Sequence, residues 1–243
     1  MQPREIIVNQ VRAALERDAR IDPANFPVDI LVDGNALTLS GEVPSIACKR
    51  AAVSAVSDLD GVDKTVDRLR LASAVEIGDG AIRDAACDSL TRDVDFLNCS
   101  LRALNSGRME VLRLAGGDSS GEIDMTVKDG VITLDGHVIS LSHKRLAGVL
   151  AWWARGCRDV VNQLEVRPAE DDNDEEVIEA LRLVLETDPL VPAAQIAIDC
   201  HDFIVTLRGV VATEEERKRA ELDAWYLHGV KRVNNELEVR ATS

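Results

Sequence analysis

Three pairs of adjacent basic residues are the first feature of this 243-residue sequence that could do chemistry. They are Lys49-Arg50, Lys144-Arg145 and Arg217-Lys218. Each pair lies eight and nine residues after a glycine. Two neighbouring cations can hold a phosphate or a carboxylate through charge-assisted hydrogen bonds, but a basic pair is also typical of a solvated helix face. The sequence leaves both interpretations open.

Two pairs of aromatic residues, Trp152-Trp153 and Trp225-Tyr226, occupy equivalent places near the end of a predicted helix. Only 3% of the residues are aromatic, so the predicted cores are aliphatic. One member of each pair is expected in a core. The other is expected either at a contact between repeats or as an external anchor.

No combination of residues predicts catalysis. The segment Gly117-Asp118-Ser119-Ser120-Gly121 resembles the nucleophile motif of chymotrypsin-like proteases, but its fourth residue departs from that motif. The first histidine of the chain, His137, follows the segment, whereas that protease order needs an upstream histidine. The segment is therefore predicted to be a solvated loop tip. We expect no catalytic residue and no enzyme activity.

No metal or cofactor site is predicted either. The acidic run from Asp171 to Glu176 lacks the ligand spacing and the turn glycine of a calcium loop, and we interpret it as a solvated linker. Four histidines and five scattered cysteines offer no four convergent zinc ligands. The cysteines are odd in number and form no Cys-x-x-Cys pair, which favours a reducing compartment.

The elements that must position these residues follow from a repeat that occurs three times. Two glycines lie 20 residues apart in each copy: Gly41 and Gly61, Gly136 and Gly156, Gly209 and Gly229. Asp33-Gly34 and Asp129-Gly130 mark a turn ahead of two of these pairs, and His201-Asp202 stands where the third copy would have its turn. Such a fixed period indicates tandem folding units.

Each copy predicts the same order of elements. Apolar residues at i, i+4 and i+8 predict a first helix, as at Ile7, Val11 and Leu15. Alternating apolar residues on both sides of the turn predict a β-hairpin. A second helix starts at an N-cap residue, for which the candidates are Ser45, Ser140 and Thr213, and a last strand follows. We therefore predict an α+β fold of three tandem α-β-β-α-β units, each with two helices on a three-stranded mixed sheet.

The predicted domains are residues 1–72, 78–167 and 174–240. The second carries an insertion of about 20 residues, at about 98–121. Arg108 to Leu114 in this insertion is a candidate extra strand, and Gly116 to Gly121 a flexible turn. Long insertions are often functional.

Charge limits the classes of partner. The formal net charge is −15, with 9 basic and 11 acidic residues in 1–72, 11 and 14 in 73–167, and 8 and 18 in 168–243. A chain this acidic is unsuited to duplex nucleic acid, where affinity depends on neutralising phosphates. The sequence shows neither a secretory signal nor a 20-residue apolar span, so no transmembrane segment is expected. We expect a cytoplasmic protein, or a periplasmic one if the N-terminus is truncated.

The order of these features resembles the BON domain, named for bacterial OsmY and nodulation proteins. The resemblance rests on Val28-Asp29-Ile30, Asp33-Gly34, Leu37-Thr38-Leu39-Ser40-Gly41, Lys49-Arg50-Ala51, Gly61-Val62, and the endings Val161 to Val166 and Val233 to Val239. It implies an α-β-β-α-β fold and a non-catalytic binding role in bacterial envelope or osmotic-stress contexts, with phospholipid or membrane-surface binding in some members.

Two hypotheses follow. The first is a rigid scaffold that binds an unidentified protein partner. The second is a phospholipid-surface binder that uses the six basic residues as headgroup contacts.

Overall fold

The computed structural model describes residues 4–57, 59–73, 75–117 and 119–240. Asp118 of the Gly-Asp-Ser-Ser-Gly segment therefore lies outside the described residues. The chain divides into two compact units, Met1–Ala74 and Val75–Ser243. The first unit contains one repeat, and the second contains repeats 2 and 3.

Repeat 1 is a complete α-β-β-α-β unit. Its elements are α1 (Arg4–Arg17), β1 (Val28–Asp33), β2 (Ala36–Val43), α2 (Ile46–Ser57) and β3 (Lys64–Leu71). β1 pairs antiparallel with β2, and β2 pairs parallel with β3, as the hairpin and crossover predict. Buried residues of α1 (Ile7, Val11 and Leu15) meet Leu37 and Leu39 of β2 in one aliphatic core.

Repeats 2 and 3 have the same order of elements. Repeat 3 contains α5 (Asp174–Thr187), β10 (Ile196–His201), β11 (Ile204–Val211), α6 (Glu214–Tyr226) and β12 (Arg232–Val239). Repeat 2 contains α3 (Asp79–Arg92), β4 (Cys99–Asn105), β5 (Arg108–Arg113), β6 (Gly121–Lys128), β7 (Val131–Val138), α4 (Leu141–Trp152), β8 (Asp159–Asn162) and β9 (Glu165–Val166). The α+β class and the three tandem units are confirmed.

The insertion in repeat 2 forms a hairpin that widens the sheet. The sequence indicated one extra strand, but the structure has two, β4 and β5, joined by a turn at Ser106-Gly107 with φ angles of 49° and 81°. β4 runs parallel to β6, and the strand order is β5-β4-β6-β7-β8, with β9 also paired to β7. Repeat 2 therefore has six strands, whereas repeats 1 and 3 have three.

The hairpin turns differ from the sequence interpretation in two repeats. In repeat 3, His201 is the last residue of β10, and the turn consists of Asp202 and Phe203, with φ angles of 52° and 63°. Phe203 thus takes the place of the glycine. Its positive φ is supported because its N–H donates to the carboxylate of Asp174 at 2.8 Å, while Lys231 lies over its ring. In repeat 1, Asp33 pairs with Ala36, so the turn residues are Gly34 and Asn35.

The eight glycines singled out in the sequence all have positive φ. The requirement is strictest at Gly136 and Gly209, the second-strand glycines of repeats 2 and 3. A Cβ atom there would lie 2.1 Å from the carbonyl oxygen of Glu122 and 2.0 Å from that of Gln195. At these two positions the adjacent strand leaves no room for a side chain.

Candidate functional site

In repeats 1 and 3, the first basic residue of the pair faces the last strand of its repeat. Lys49 is buried, and its ammonium donates to the carboxylate of Asp67 at 2.9 Å and to the carbonyl of Leu69 at 2.6 Å. Arg217 donates to Glu214 at 2.9 Å and to the carbonyl of Asn235 at 3.4 Å. The charges of Lys49 and Arg217 are therefore bound inside their own repeats.

One residue of the last strand lies beside the first basic residue of each pair. It is Asp67 in repeat 1, Asn162 in repeat 2 and Asn235 in repeat 3. The Asn162 and Asn235 amides donate to the backbone carbonyls of Lys144 and Arg217 at 2.6 and 3.0 Å. The same side chains accept from a backbone N–H two residues on, as Asp67 does. A carboxylate cannot donate, so repeat 1 replaces the amide bond with the Lys49–Asp67 ion pair. The Val-x-Asn ending thus fastens the second helix to the last strand, a role that sequence reasoning did not find.

The second basic residue of each pair has a different setting in each repeat. Arg145 has a side chain only 2% exposed, and its guanidinium donates to the carbonyl of His228 at 3.0 Å and to Asp172 at 2.6 Å. Arg145 thereby connects repeat 2, the linker and repeat 3. Arg50 is half-buried and Lys218 is exposed. The ligand-binding role of the basic pairs stays a prediction; of the six residues, Lys218 is exposed and Arg50, Lys144 and Arg217 are half-buried.

The acidic run from Asp171 to Glu176 was predicted to be a solvated linker, but its second half, Asp174 to Glu176, forms the first turn of α5, and the segment is anchored to the protein. Glu170 accepts the backbone N–H of Leu141 at 2.7 Å, at the start of α4, where a negative charge is favoured. Asn173 caps α5 by accepting from Glu175 and Glu176. Asp174 accepts the N–H groups of the Asp202-Phe203 turn, as Asp79 does for the Asp129-Gly130 turn. These acids hold helices and turns in place.

The aromatic pairs lie where repeats 2 and 3 meet. Trp152 stacks on Tyr226 with ring centroids 5.3 Å apart and planes 10° from parallel. The Trp153 indole N–H donates to the carboxylate of Asp223 at 2.9 Å, and the Arg219 guanidinium lies 5.2 Å from the centre of its ring. Trp225 is 5% exposed and belongs to the core of repeat 3. Of the two roles left open by the sequence, these contacts fit the one between repeats.

A buried acidic pair completes this contact. Asp223 on α6 is 0% exposed, and Asp188 at the end of α5 is 2% exposed. The guanidinium of Arg219 donates to Asp188 and lies 3.7 Å from Asp223. Two carboxylates thus share one cation. Residue types alone did not reveal this cluster, because its members come from three helices.

Burial changes the acidity of this cluster. Desolvation raises the pKa of Asp223 to about 8, although Arg219 and the Trp153 hydrogen bond act in the opposite direction. The second carboxylate oxygen of Asp223 finds no donor among the described residues, whereas a protonated Asp223 can donate to Asp188. Burial also raises the pKa of Tyr226 to about 12. The arrangement suits a neutral Asp223 that stabilises the contact between repeats.

Burial makes the thiols of two described cysteines less acidic. Burial raises the pKa of Cys87 to about 11 and that of Cys157 to about 12, so these thiols stay protonated near neutral pH. Within the described ranges, no three His, Cys, Asp or Glu side chains are grouped as metal ligands. No helix in the described part of the chain is both long and apolar enough to cross a membrane.

The fold agrees with comparison to known proteins. A family model for the BON domain matches residues 4–73, 109–168 and 173–241, which together make up most of the sequence. The chain therefore belongs to the BON domain family. The second match begins inside the inserted hairpin, after α3 and β4.

The similar proteins include one sequence relative and two solved structures. The osmotically-inducible protein Y of Escherichia coli (strain K12) is 29% identical over 135 residues, which cover 52% of this chain and 67% of that protein. Two structures of CdsD, a structural protein of the Type III secretion system of Chlamydia trachomatis, align over 99% and 98% of this chain and 100% and 94% of theirs. They are 13% and 14% identical, with TM-scores of 0.24 and 0.26, and scores this low do not establish a shared overall structure.

Proposed function

We propose that this chain is a non-catalytic BON-domain scaffold that mediates protein interaction in a stress-related or envelope-related process. Membership of a non-catalytic family and similarity to an osmotically inducible protein support this role. The observation that carries it is the closed contact between repeats 2 and 3. That contact buries Asp223, whose pKa is raised to about 8, away from solvent.

The physical argument concerns geometry. A scaffold must hold its binding surfaces at a constant distance and orientation, because each freedom lost on binding weakens the complex. Two contacts hold repeats 2 and 3 in a fixed geometry. Trp152 stacks on Tyr226, and Trp153 donates a buried hydrogen bond to Asp223. Arg145 adds a second connection through His228 and the linker.

The alternative is a phospholipid-surface binder. It is favoured by exposed Lys218 on the second helix of repeat 3, together with half-buried Arg50 and Lys144 on the corresponding helices of repeats 1 and 2. Against it, Lys49 and Arg145 are buried and bound inside the protein. The net charge of −15 also opposes adhesion to anionic lipid.

Two substitutions on α6 separate the hypotheses. Tyr226→Ala removes the partner of Trp152 at the contact between repeats, whereas Lys218→Ala removes only an exposed charge. Full-length protein immobilised as bait is incubated with lysate of the source organism, and the captured proteins are quantified. The scaffold proposal predicts a specific partner whose capture falls with Tyr226→Ala and persists with Lys218→Ala.

Co-sedimentation with anionic and zwitterionic vesicles, at low and high salt, tests the alternative directly. The scaffold proposal predicts no pelleting with either vesicle. Pelleting that Lys218→Ala weakens, without a partner sensitive to Tyr226→Ala, would replace the proposal by the lipid alternative. The compartment, expected to be cytoplasmic, stays a prediction.

A further inference from the structure

The inserted hairpin of repeat 2 ends the sheet in an exposed apolar strand. β5 pairs with β4 on one side and with no other strand of the described chain. Met109 is 42% exposed and Val111 56% exposed, and the neighbouring Leu104 on β4 is 38% exposed. An exposed edge with apolar side chains is a template for pairing with another strand.

The strand register shows that these three side chains share one face. Leu104 lies opposite Met109, and Arg102 lies opposite Val111. The alternate residues of β4, Leu101 and Ala103, are buried. Leu104, Met109 and Val111 therefore form an apolar stripe on the face of the sheet turned away from the helices.

The equivalent edges of the other two repeats carry acidic residues on this face. In repeat 1, exposed Leu31 of β1 lies between Asp29 and Asp33 on the same face. In repeat 3, Asp199 occupies the same face of β10. Charged residues of this kind prevent edge-to-edge pairing. On β5, Met109 and Val111 are both apolar, and the charged residues Arg108 and Glu110 of this strand lie on its other face.

We infer that β5 pairs antiparallel with β5 of a second copy of this chain, about a two-fold axis at Glu110. This register places Met109 opposite Val111 of the second copy, and Val111 opposite its Met109, so the two apolar stripes become continuous. It uses the regular part of β5, ahead of the irregularity that falls between Leu101 and Arg102 in the pairing with β4. An axis at Met109 would shorten the overlap because β5 begins at Arg108, directly after the Ser106-Gly107 turn.

Charge is compatible with this pairing. On the other face of the strand, the two copies of Glu110 lie directly opposite each other at the axis, which opposes the pairing, and Arg108 of the other copy is a diagonal neighbour that offsets this repulsion. Two positive and two negative side chains thus balance. Residues 73–167, which carry the edge, have 11 basic and 14 acidic residues, so the repulsion between two copies is weaker there than at residues 168–243, which have 8 and 18, and about the same as at residues 1–72, which have 9 and 11.

The first test is the oligomeric state of the full chain, measured by sedimentation velocity over a wide dilution series. Wild type is expected to dimerise reversibly, more strongly as salt screens the net charge. Val111→Lys places a charge on the apolar stripe and is expected to weaken the dimer at least about tenfold. The matched control is Leu31→Lys, because Leu31 is a 53% exposed apolar residue on the edge strand of repeat 1. It is expected to leave the dimer unchanged.

The second test is disulfide cross-linking, which reports the register. At the two-fold axis, residue 110 of one chain lies opposite residue 110 of the other chain. Glu110→Cys is therefore expected to form a disulfide between two identical chains. Met109→Cys is expected to cross-link with Val111→Cys in a mixture and poorly with itself. Wild type measures the background from Cys157 and Cys200, which are half-buried.

Three results would overturn the inference. They are a wild type that stays monomeric at every concentration, a dimer that Val111→Lys leaves intact, and cross-linking of Met109→Cys with itself at the efficiency of Glu110→Cys. Circular dichroism of each variant verifies its fold. The inference concerns self-association through β5, so its failure would leave the scaffold proposal standing. Failure of the scaffold proposal would likewise leave the β5 dimer standing.

Discussion

Asp223→Asn is the substitution that most sharply tests the contact between repeats 2 and 3. The amide has the shape of a protonated carboxyl group. Its oxygen can accept from Trp153, and its NH2 group can donate to Asp188, as the neutral acid does. The groups that face Asp223 are the Trp153 indole at the end of α4, Asp188 at the end of α5 and Arg219 on α6. The substitution therefore removes one titration while retaining the hydrogen bonds.

The size and sign of the effect follow from the pKa of Asp223. Folding raises this pKa from 3.8 to about 8. A group with a raised folded-state pKa contributes stability below its unfolded-state pKa and loses that contribution as the pH rises through the folded-state value. Wild type should therefore lose stability between about pH 4 and pH 8, by on the order of 5 kcal/mol if the whole shift is expressed. In Asp223→Asn, this pH-dependent loss of stability should be absent.

Urea unfolding followed by tryptophan fluorescence measures the effect. All three tryptophans, Trp152, Trp153 and Trp225, lie in the unit Val75–Ser243, so their emission reports that unit alone. From pH 5 to pH 8, the free energy of unfolding of Asp223→Asn is expected to gain several kcal/mol relative to wild type. Asp93 also has a raised pKa, but it is present in both proteins and cancels in the difference. Parallel pH profiles for the two proteins would refute the argument.

Two further predictions concern the interior of single repeats. Gly136→Ala should destabilise the second unit by about 3 kcal/mol or more, because its Cβ would meet the carbonyl oxygen of Glu122 at a positive φ, whereas Gly116→Ala, with open space around it, should change the urea midpoint little. Lys49→Met should destabilise repeat 1 by about 2 kcal/mol because it leaves Asp67 without its cation, and adding Asp67→Asn should recover at least half of that loss. Hydrogen exchange in residues 4–73 measures the second prediction, and equal stability of the single and double variants would contradict it.

The repeated glycines and apolar periods were enough to predict the fold, because each records a local requirement. A helix stripe, a hairpin turn and a close strand approach each restrict a few neighbouring positions. The same local rules explain one error. His201-Asp202 matched the expected turn composition, yet Phe203 occupies the left-handed position because Asp174, distant in sequence, binds its N–H.

The contact between repeats could not be predicted in the same way. Trp152, Trp153 and Tyr226 stood out as aromatic pairs, but their stacking partners and Asp223 become neighbours only when α4 and α6 meet. The basic pairs show that the sequence also fails to predict burial. Lys49 looks like a surface cation in the sequence, and its burial depends on Asp67 and Leu69 of the last strand. Composition identifies such residues without saying which surface they face.

The central claim is that repeats 2 and 3 act as one body, and hydrogen exchange of Leu181→Ala tests it most directly. Leu181 is fully buried in α5, and its truncation should destabilise repeat 3 by about 2–5 kcal/mol. The control is Leu190→Ala, since Leu190 is 66% exposed. We predict that Leu181→Ala lowers the protection of β7 in repeat 2 as much as that of β11 in repeat 3. Loss of protection in β11 with wild-type exchange in β7 would contradict the claim.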